Sequence, residues 1–396
     1  MQKKFIFAAL AALSCFTNVF ADDSADSFLS DFVSRNWTTA DGLPANSATS
    51  ILQDKTGYIY FGTYDGLVRF DGVEFTTLTR NSNPKYNFIT VRTLFKDSNE
   101  SIWVGSNDEG LVELRKDGRT RTYTSKDGIP NNSVRAICED HEGNIWVGTA
   151  GGIAYIAGKD GEKPEVVVPE GLEEFAESNV LVMRLYCDTE GKIWIATGKE
   201  NKLITYSANK FSLHGGFKSL ENTTVTCVAQ DNSGAFWFGV SPHYALKEDG
   251  EEEEIFDIGH GKQRGTHVEK IYQDRSANIW CALDTGAAII HDGKISYIDK
   301  SNGLCDNKLS DIMEDTEGNL WIATDSGGID KLSQSKFRTV RLDSPVNALC
   351  HDKGRGVEWI ACNDGLRCYK NGEFIENETT RLCRNTRIRH VGMTED

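Results

Sequence analysis

Eight histidines, ten cysteines and 59 carboxylates are the groups from which this 396-residue sequence would have to build chemistry. The histidines are His141, His214, His243, His260, His267, His291, His351 and His390. Their spacing fits no zinc pattern and there is no CxxC, so neither metal nor cofactor is expected. No Ser/His/Asp or Cys/His constellation follows from spacing either, and catalytic residues are expected to be none. The arrangement closest to catalysis is a general base at His243 or His267 beside Glu269 as a metal-binding carboxylate. A binding reading draws on two sets of polar residues. Asn46, Asn87, Asn132, Thr223, His267 and Asn307 each precede an apolar run, whereas Tyr64, Asn107, Lys199, His243, Asp284 and Asp325 each sit in a turn. Amides, carboxylates and an aromatic ring of this kind suit a small polar ligand such as an oligosaccharide. His141 falls in an exposed turn slot, and the acidic run Glu251–Glu254 reads as a solvated loop tip.

What would bring these residues together is a repeat. An aromatic recurs at Tyr60, Trp103, Trp146, Trp194, Trp237, Trp280, Trp321 and Trp359, mostly at steps of 43 residues. Six positions before it stands an Asp (Asp54, Asp97, Asp140, Asp188, Asp231, Asp274, Asp315), slipping by one residue to Asp352 in the last repeat. Two positions after it the residue is always Gly or Ala, from Gly62 to Ala361. The Asp accepts backbone hydrogen bonds in a turn closed by a Gly three residues on, and Glu100 and Ala277 break that Gly rule. The Ile-Trp-x-Gly stretch that follows reads as a strand, with a small residue where another backbone comes close. Further strands begin after Tyr64-Asp65 and near Glu74–Leu78 or Thr120–Thr124. Four short strands per unit is a β-propeller blade, in which the aromatic fills the wedge between sheets. Helical repeats would not carry glycines inside their apolar runs.

The fold class is therefore all-β: a seven-bladed β-propeller of four-stranded blades over 28–334, followed by the start of a second, incomplete propeller over 335–396. Phe32–Thr38 reads as an isolated outer strand that completes the seventh blade, whose own strands end near Leu332, removing an exposed sheet edge. Phe337–Leu342 reads as another such strand, and Ile388–Asp396 as the first strand of a blade that stops short, so the chain reads as a truncated piece. An eight-bladed ring with a surplus strand is the alternative.

Residues 1–21 carry Lys3 and Lys4, an apolar run Phe5–Phe16 too short to span a bilayer, and Val19-Phe20-Ala21 at a cleavage site, which together make an export signal. Removing Cys15 leaves nine cysteines, an odd number that argues against a disulfide framework. Cys138, Cys187, Cys227 and Cys350 precede the recurring Asp as small buried hydrophobes, while Cys362 and Cys368 flank a turn across which they would face each other. A net charge of −16 argues against nucleic acid as a partner.

Asp127-Gly-Ile-Pro130-Asn-Asn132-Ser-Val, Gly143-Asn-Ile-Trp-Val-Gly-Thr149 and Tyr64-Asp-Gly-Leu-Val-Arg-Phe-Asp-Gly72 resemble the two-component regulator propeller family, the periplasmic sensing repeats of hybrid histidine kinases and related receptors. The resemblance implies a periplasmic, ligand-sensing input region, membrane-attached in a full-length form. Its partner would be a small polar ligand or a periplasmic protein, its full receptor a homodimer. Any kinase or cyclase activity would belong to a later part of the receptor. Two readings compete: a propeller lyase similar to streptogramin lyase, and a protein–protein interaction scaffold.

Overall fold

The computed structural model describes residues 29, 32–158, 164–175, 180–198, 202–217, 220, 224–259, 267–335, 340 and 342–393. Residues 1–21, Lys199, Thr223 and most of Phe337–Leu342 lie outside them. The chain divides into two compact units between Gln334 and Ser335.

The first unit holds seven four-stranded antiparallel sheets, each reading outward in chain order from an inner strand. The third is representative: Val134–Glu139 pairs with Ile145–Thr149, then Gly152–Ala157, then Glu165–Val167. The seventh differs, because its outer strand is the N-terminal Phe32–Trp37, paired antiparallel with Ile329–Gln334. The seven inner strands neighbour one another in cyclic order, the last, Leu309–Glu314, lying against the first, Ala48–Gln53.

The recurring Asp does more than close a turn. Its Oδ1 accepts the backbone N–H groups two and four residues on, as Asp140 does from Glu142 and Asn144 at 2.9 Å. Its Oδ2 accepts the indole Nε1–H of the tryptophan six residues on: 2.7 Å for Asp97–Trp103 and Asp140–Trp146, 2.8 Å for Asp188–Trp194 and Asp231–Trp237, 2.9 Å for Asp274–Trp280 and 2.7 Å for Asp315–Trp321. One carboxylate thus fixes the first hairpin and the wedge ring together. In the first sheet Tyr60 donates to Asp54 at 3.3 Å, and burial with the Asp54 charge pushes the phenol up to about 12, keeping it a donor. In the seven-residue spacing of the eighth sheet, Asp352 accepts from the backbone of Arg355. Glu100 and Ala277 take the positive φ of the glycines they replace, 68° and 64°, so those two turns keep their shape at the cost of strain.

Each wedge aromatic of the first unit belongs to the apolar cluster of the sheet that follows it. Trp146 packs with Val182, Ile193, Ile195 and Ile204 of the fourth sheet, and Trp237 with Val268, Ile271 and Ile279 of the sixth. The small residue two past the aromatic is explained by a side chain rather than the approaching backbone expected. A Cβ on Gly62, Gly105, Gly148 or Gly239 would lie 2.8, 2.7, 2.4 or 2.8 Å from the valine that opens the next inner strand. At the closure, Trp37, the one tryptophan outside the repeat, stacks on Trp321 (5.3 Å, 17°) among Ile51, Phe61 and Phe70 of the first sheet. A second link recurs at the turns: Gln53, Glu139, Gln230, Gln273 and Glu314 each accept a backbone N–H from the preceding sheet, with Gln53 receiving that of Thr316.

The Glu251–Glu254 run corrects an expectation. Glu251 stands exposed in the hairpin turn as expected, but Glu252, Glu253 and Glu254 belong to Glu252–Asp257, the outer strand of the fifth sheet, with Glu252 opposite Asp249 and Glu254 opposite Lys247. Charges at an outermost strand keep that edge in water and closed to pairing.

The second unit is one four-stranded sheet running from Val346–Asp352 to Glu373–Ile375, followed by a short helix, Glu378–Leu382, capped by Asn377. Ile388–Met393 is not the strand expected: Ile388 donates its N–H to Cys362 O, its carbonyl accepts from Asn347, and Ile388 and Val391 cover their own sheet's core. Cys362 and Cys368 do not face each other either. The hairpin register sets Cys362 opposite Gly365 and Cys368 opposite Trp359, and both thiols are free.

Candidate functional site: the central channel

All seven inner strands begin with a β-bulge directly after their first residue, between Ala48 and Ser50, Val91 and Thr93, Val134 and Ala136, and so on around the unit. A bulge adds one residue and re-aims the side chains beside it. The residues so placed are Thr49, Arg92, Arg135, Met183, Thr226, Glu269 and Ser310. All of them but Thr226 line, together with their neighbours Ser50, Arg184, Cys227, Lys270 and Asp311, a central cavity of about 730 Å³.

The cavity is polar, and six of its nine charged side chains are in ion pairs, two of the three pairs crossing between sheets. Arg184 donates to Glu269 Oε2 at 3.0 Å and to the Glu269 carbonyl at 3.2 Å, joining the fourth and sixth inner strands. Lys270 reaches Asp311 Oδ1 at 3.1 Å, and the other Asp311 oxygen accepts the Ile51 N–H at 2.9 Å and the Ser50 hydroxyl at 3.2 Å. Ser50 Oγ in turn accepts the Leu94 N–H, so one buried carboxylate ties four inner strands together. Lys308 meets Asp325 at 3.3 Å. Among the described residues, Arg92 donates only to the neutral amide of Asn107 at 3.3 Å, and Arg135 has a buried Nε with no acceptor. Burial, then the nearby charges of Arg92 and Arg184, hold the Arg135 pKa below the ordinary guanidinium value, against the pull of Tyr64 and Asp108.

The structure divides the residues anticipated from sequence. Tyr64 and Asp325 line the cavity, Asn107 touches it through Arg92, and Glu269 lies within it. Asn46, Asn132 and Asn307 fasten the loop entering their strand, each accepting at 2.8 Å the N–H of the residue seven earlier: Thr39, Ser125 and Lys300. Their carbonyl oxygens are thereby committed to holding a loop. His243 sits 3.6 Å from Asp257 of its own sheet's outer strand, and His267 donates its backbone N–H to Asp284. Neither histidine lines the cavity, and Glu269 is occupied by Arg184, so the base-plus-carboxylate arrangement is not assembled. No group of carboxylates, histidines and cysteines able to hold a metal ion occurs among the described residues. Sequence reasoning missed Arg92, Arg135, Arg184, Lys270 and Lys308. For all but Lys308 the signal was a charge one or two residues after the valine that opens an otherwise apolar strand, as in Val91-Arg92 and Val134-Arg135; Lys308 instead directly precedes its strand.

Segments 42–65, 128–151 and 303–326 match the two component regulator propeller family. Three stretches of the chain are thus similar to two-component regulator propeller repeats. Each matched segment runs from the entry loop through the inner strand and its bulge to the end of the second strand, so the likeness includes the side chains that face the channel. A histidine kinase of Formosa agariphila is 25% identical over 289 residues, 68% of this chain and 21% of the relative. The extracellular domain of a putative hybrid two component system of B. thetaiotaomicron superposes with a TM-score of 0.68 at 21% identity, covering 88% of this chain and 49% of that one. A streptogramin B lyase superposes at a TM-score of 0.60 and 16% identity, covering 78% of this chain and 99% of that one. The structural likeness is one of fold, a β-propeller. This chain thus spans about a fifth of the kinase and half of the receptor domain. Among the described residues no helix is long and apolar enough to cross a membrane.

Proposed function

We propose that this chain is the exported, ligand-binding input region of a membrane signalling receptor, with residues 28–334 forming a seven-bladed propeller whose ligand enters the central channel. The observation that carries the reading is the cavity of about 730 Å³, to which every inner strand of the first unit contributes, a size within the range of small-molecule sites. Kinship with receptor repeats supports a sensing rather than a catalytic role, and neither histidine put forward for catalysis lines the cavity. Residues 335–396 are read as the opening blade of a second propeller. In the first unit the inner-strand residues Ala48 and Ile51 are buried, whereas their counterparts Val346 and Leu349 are 48% and 67% exposed, as expected of a blade awaiting a neighbour. Residues 1–21 direct export to the periplasm, and two copies of the receptor pair to transmit the signal.

The test is calorimetry and product analysis on the mature chain with a panel of oligosaccharides and small polar metabolites. The expected result is saturable binding of at least one without turnover, unaffected by His243→Ala. Catalytic release of product that disappears in that variant would move the protein to the lyase class.

A further inference from the structure

The channel charges are unevenly distributed. Five cations and four carboxylates line the cavity of a chain whose formal charge is −16. Each of those carboxylates already has donors: Glu269 from Arg184, Asp311 from Lys270, Ser50 and Ile51, Asp325 from Lys308, and Glu139 from Ser98. On the opposite arc the second, third and fourth inner strands bring Arg92, Arg135 and Arg184 together, close enough for the charges of the first and last to act on Arg135. Arg135 makes no hydrogen bond or ion pair among the described residues, and its Nε is shut away from water. Asp108, the carboxylate whose charge acts on it, is exposed and holds the Asn107 amide at 3.1 Å. A buried donor left without an acceptor costs about 1–3 kcal/mol, more when charged, so the arc carries a standing demand for negative charge.

We propose that Arg92, Arg135 and Arg184 form a binding site for the carboxylate group of a small organic anion, which makes the ligand of this receptor input an acidic one. The proposal rests on the input reading above and names the ligand class for it. A guanidinium presents parallel N–H groups that match the two oxygens of a carboxylate; with Nε enclosed, a carboxylate in the cavity would meet Arg135 at its two Nη groups, which hold no acceptor among the described residues. The neutral Asn107 amide is all that Arg92 would surrender. Arg184 would share its charge between Glu269 and the ligand. The cavity is much larger than a carboxylate, so the remainder of the anion lies along the channel toward Tyr64 and Asp325.

Titration calorimetry of the mature chain with galacturonate and citrate, and with galactose as the neutral counterpart, tests this. At roughly millimolar concentrations at least one anion is expected to saturate the protein, with galactose at least about tenfold weaker. Arg135→Gln should weaken the anion by about tenfold or more, Arg135→Lys by less, and Arg135→Gln should not lower the thermal midpoint, since it removes a repelled, unpartnered charge. Overturning results are absence of saturation by either anion, or equal binding to wild type and Arg135→Gln. A neutral sugar that binds independently of Arg135 would also refute the acidic class while leaving the input reading intact. Turnover of a ligand would refute the input reading itself.

Discussion

Substituting Gly148 by Ala separates two physical effects that ordinarily run together. Gly148 lies in the extended strand Ile145–Thr149, in a conformation open to any residue, so replacing it by Ala in an isolated strand would stabilise the protein by roughly 0.5–1 kcal/mol. Here the added Cβ would lie 2.4 Å from Val182 Cγ1, 3.0 Å from Val182 Cβ and 3.4 Å from Leu185 Cδ1. Bringing the first of these to van der Waals separation requires the third and fourth sheets to part by about 1 Å, and overpacking of that order costs about 1–3 kcal/mol. The sign therefore reverses: Gly148→Ala should destabilise by roughly 1–2 kcal/mol in urea denaturation, with a midpoint drop of a few degrees. Val182 is fully buried, so Val182→Ala should also destabilise on its own. In the double variant the methyl group introduced at position 148 occupies the space vacated at 182, and the cost should fall short of the summed single costs by about 1 kcal/mol or more. Additivity within about 0.5 kcal/mol, or a stabilised Gly148→Ala, would refute the account of why the position is small.

Two further outcomes follow from buried carboxylates. Trp194→Phe keeps most of the wedge but removes the 2.8 Å bond to Asp188, leaving a carboxylate oxygen buried without its donor; a loss of about 1.5–3 kcal/mol in chemical denaturation is expected, and a loss below about 0.5 would exclude a structural role for that bond. Burial raises the Asp330 carboxyl above the usual range, and its Oδ1 has no partner. The folded state thus binds a proton more tightly than the unfolded one, and Asp330 costs stability increasingly as pH rises from about 4 through the raised folded value. Asp330→Asn keeps an acceptor for the Cys305 N–H, so its stability relative to wild type should climb over that window and then level off; a pH-independent difference would refute the shift.

The sequence determined the strands, the turns and the wedge because those are set by residues two to six apart in the chain. Asp140, Gly143, Trp146 and Gly148 lie within nine residues, and a carboxylate at that distance from an indole can both close the turn and hold the ring. The pairing of Phe32–Trp37 with Ile329–Gln334 was legible too, since a lone strand at one end and a three-stranded unit at the other have only each other as partners. The channel was not legible. Asn46, Asn132 and Asn307 looked like ligand contacts because they are polar and recur, yet their amides are committed to the backbone seven residues earlier. Arg92, Arg135 and Arg184 stand 43 and 49 residues apart with nothing local to connect them. Only the cyclic order of the inner strands, with a bulge at the start of each, turns those three side chains onto one axis, where their mutual repulsion acquires a meaning that no single repeat contains.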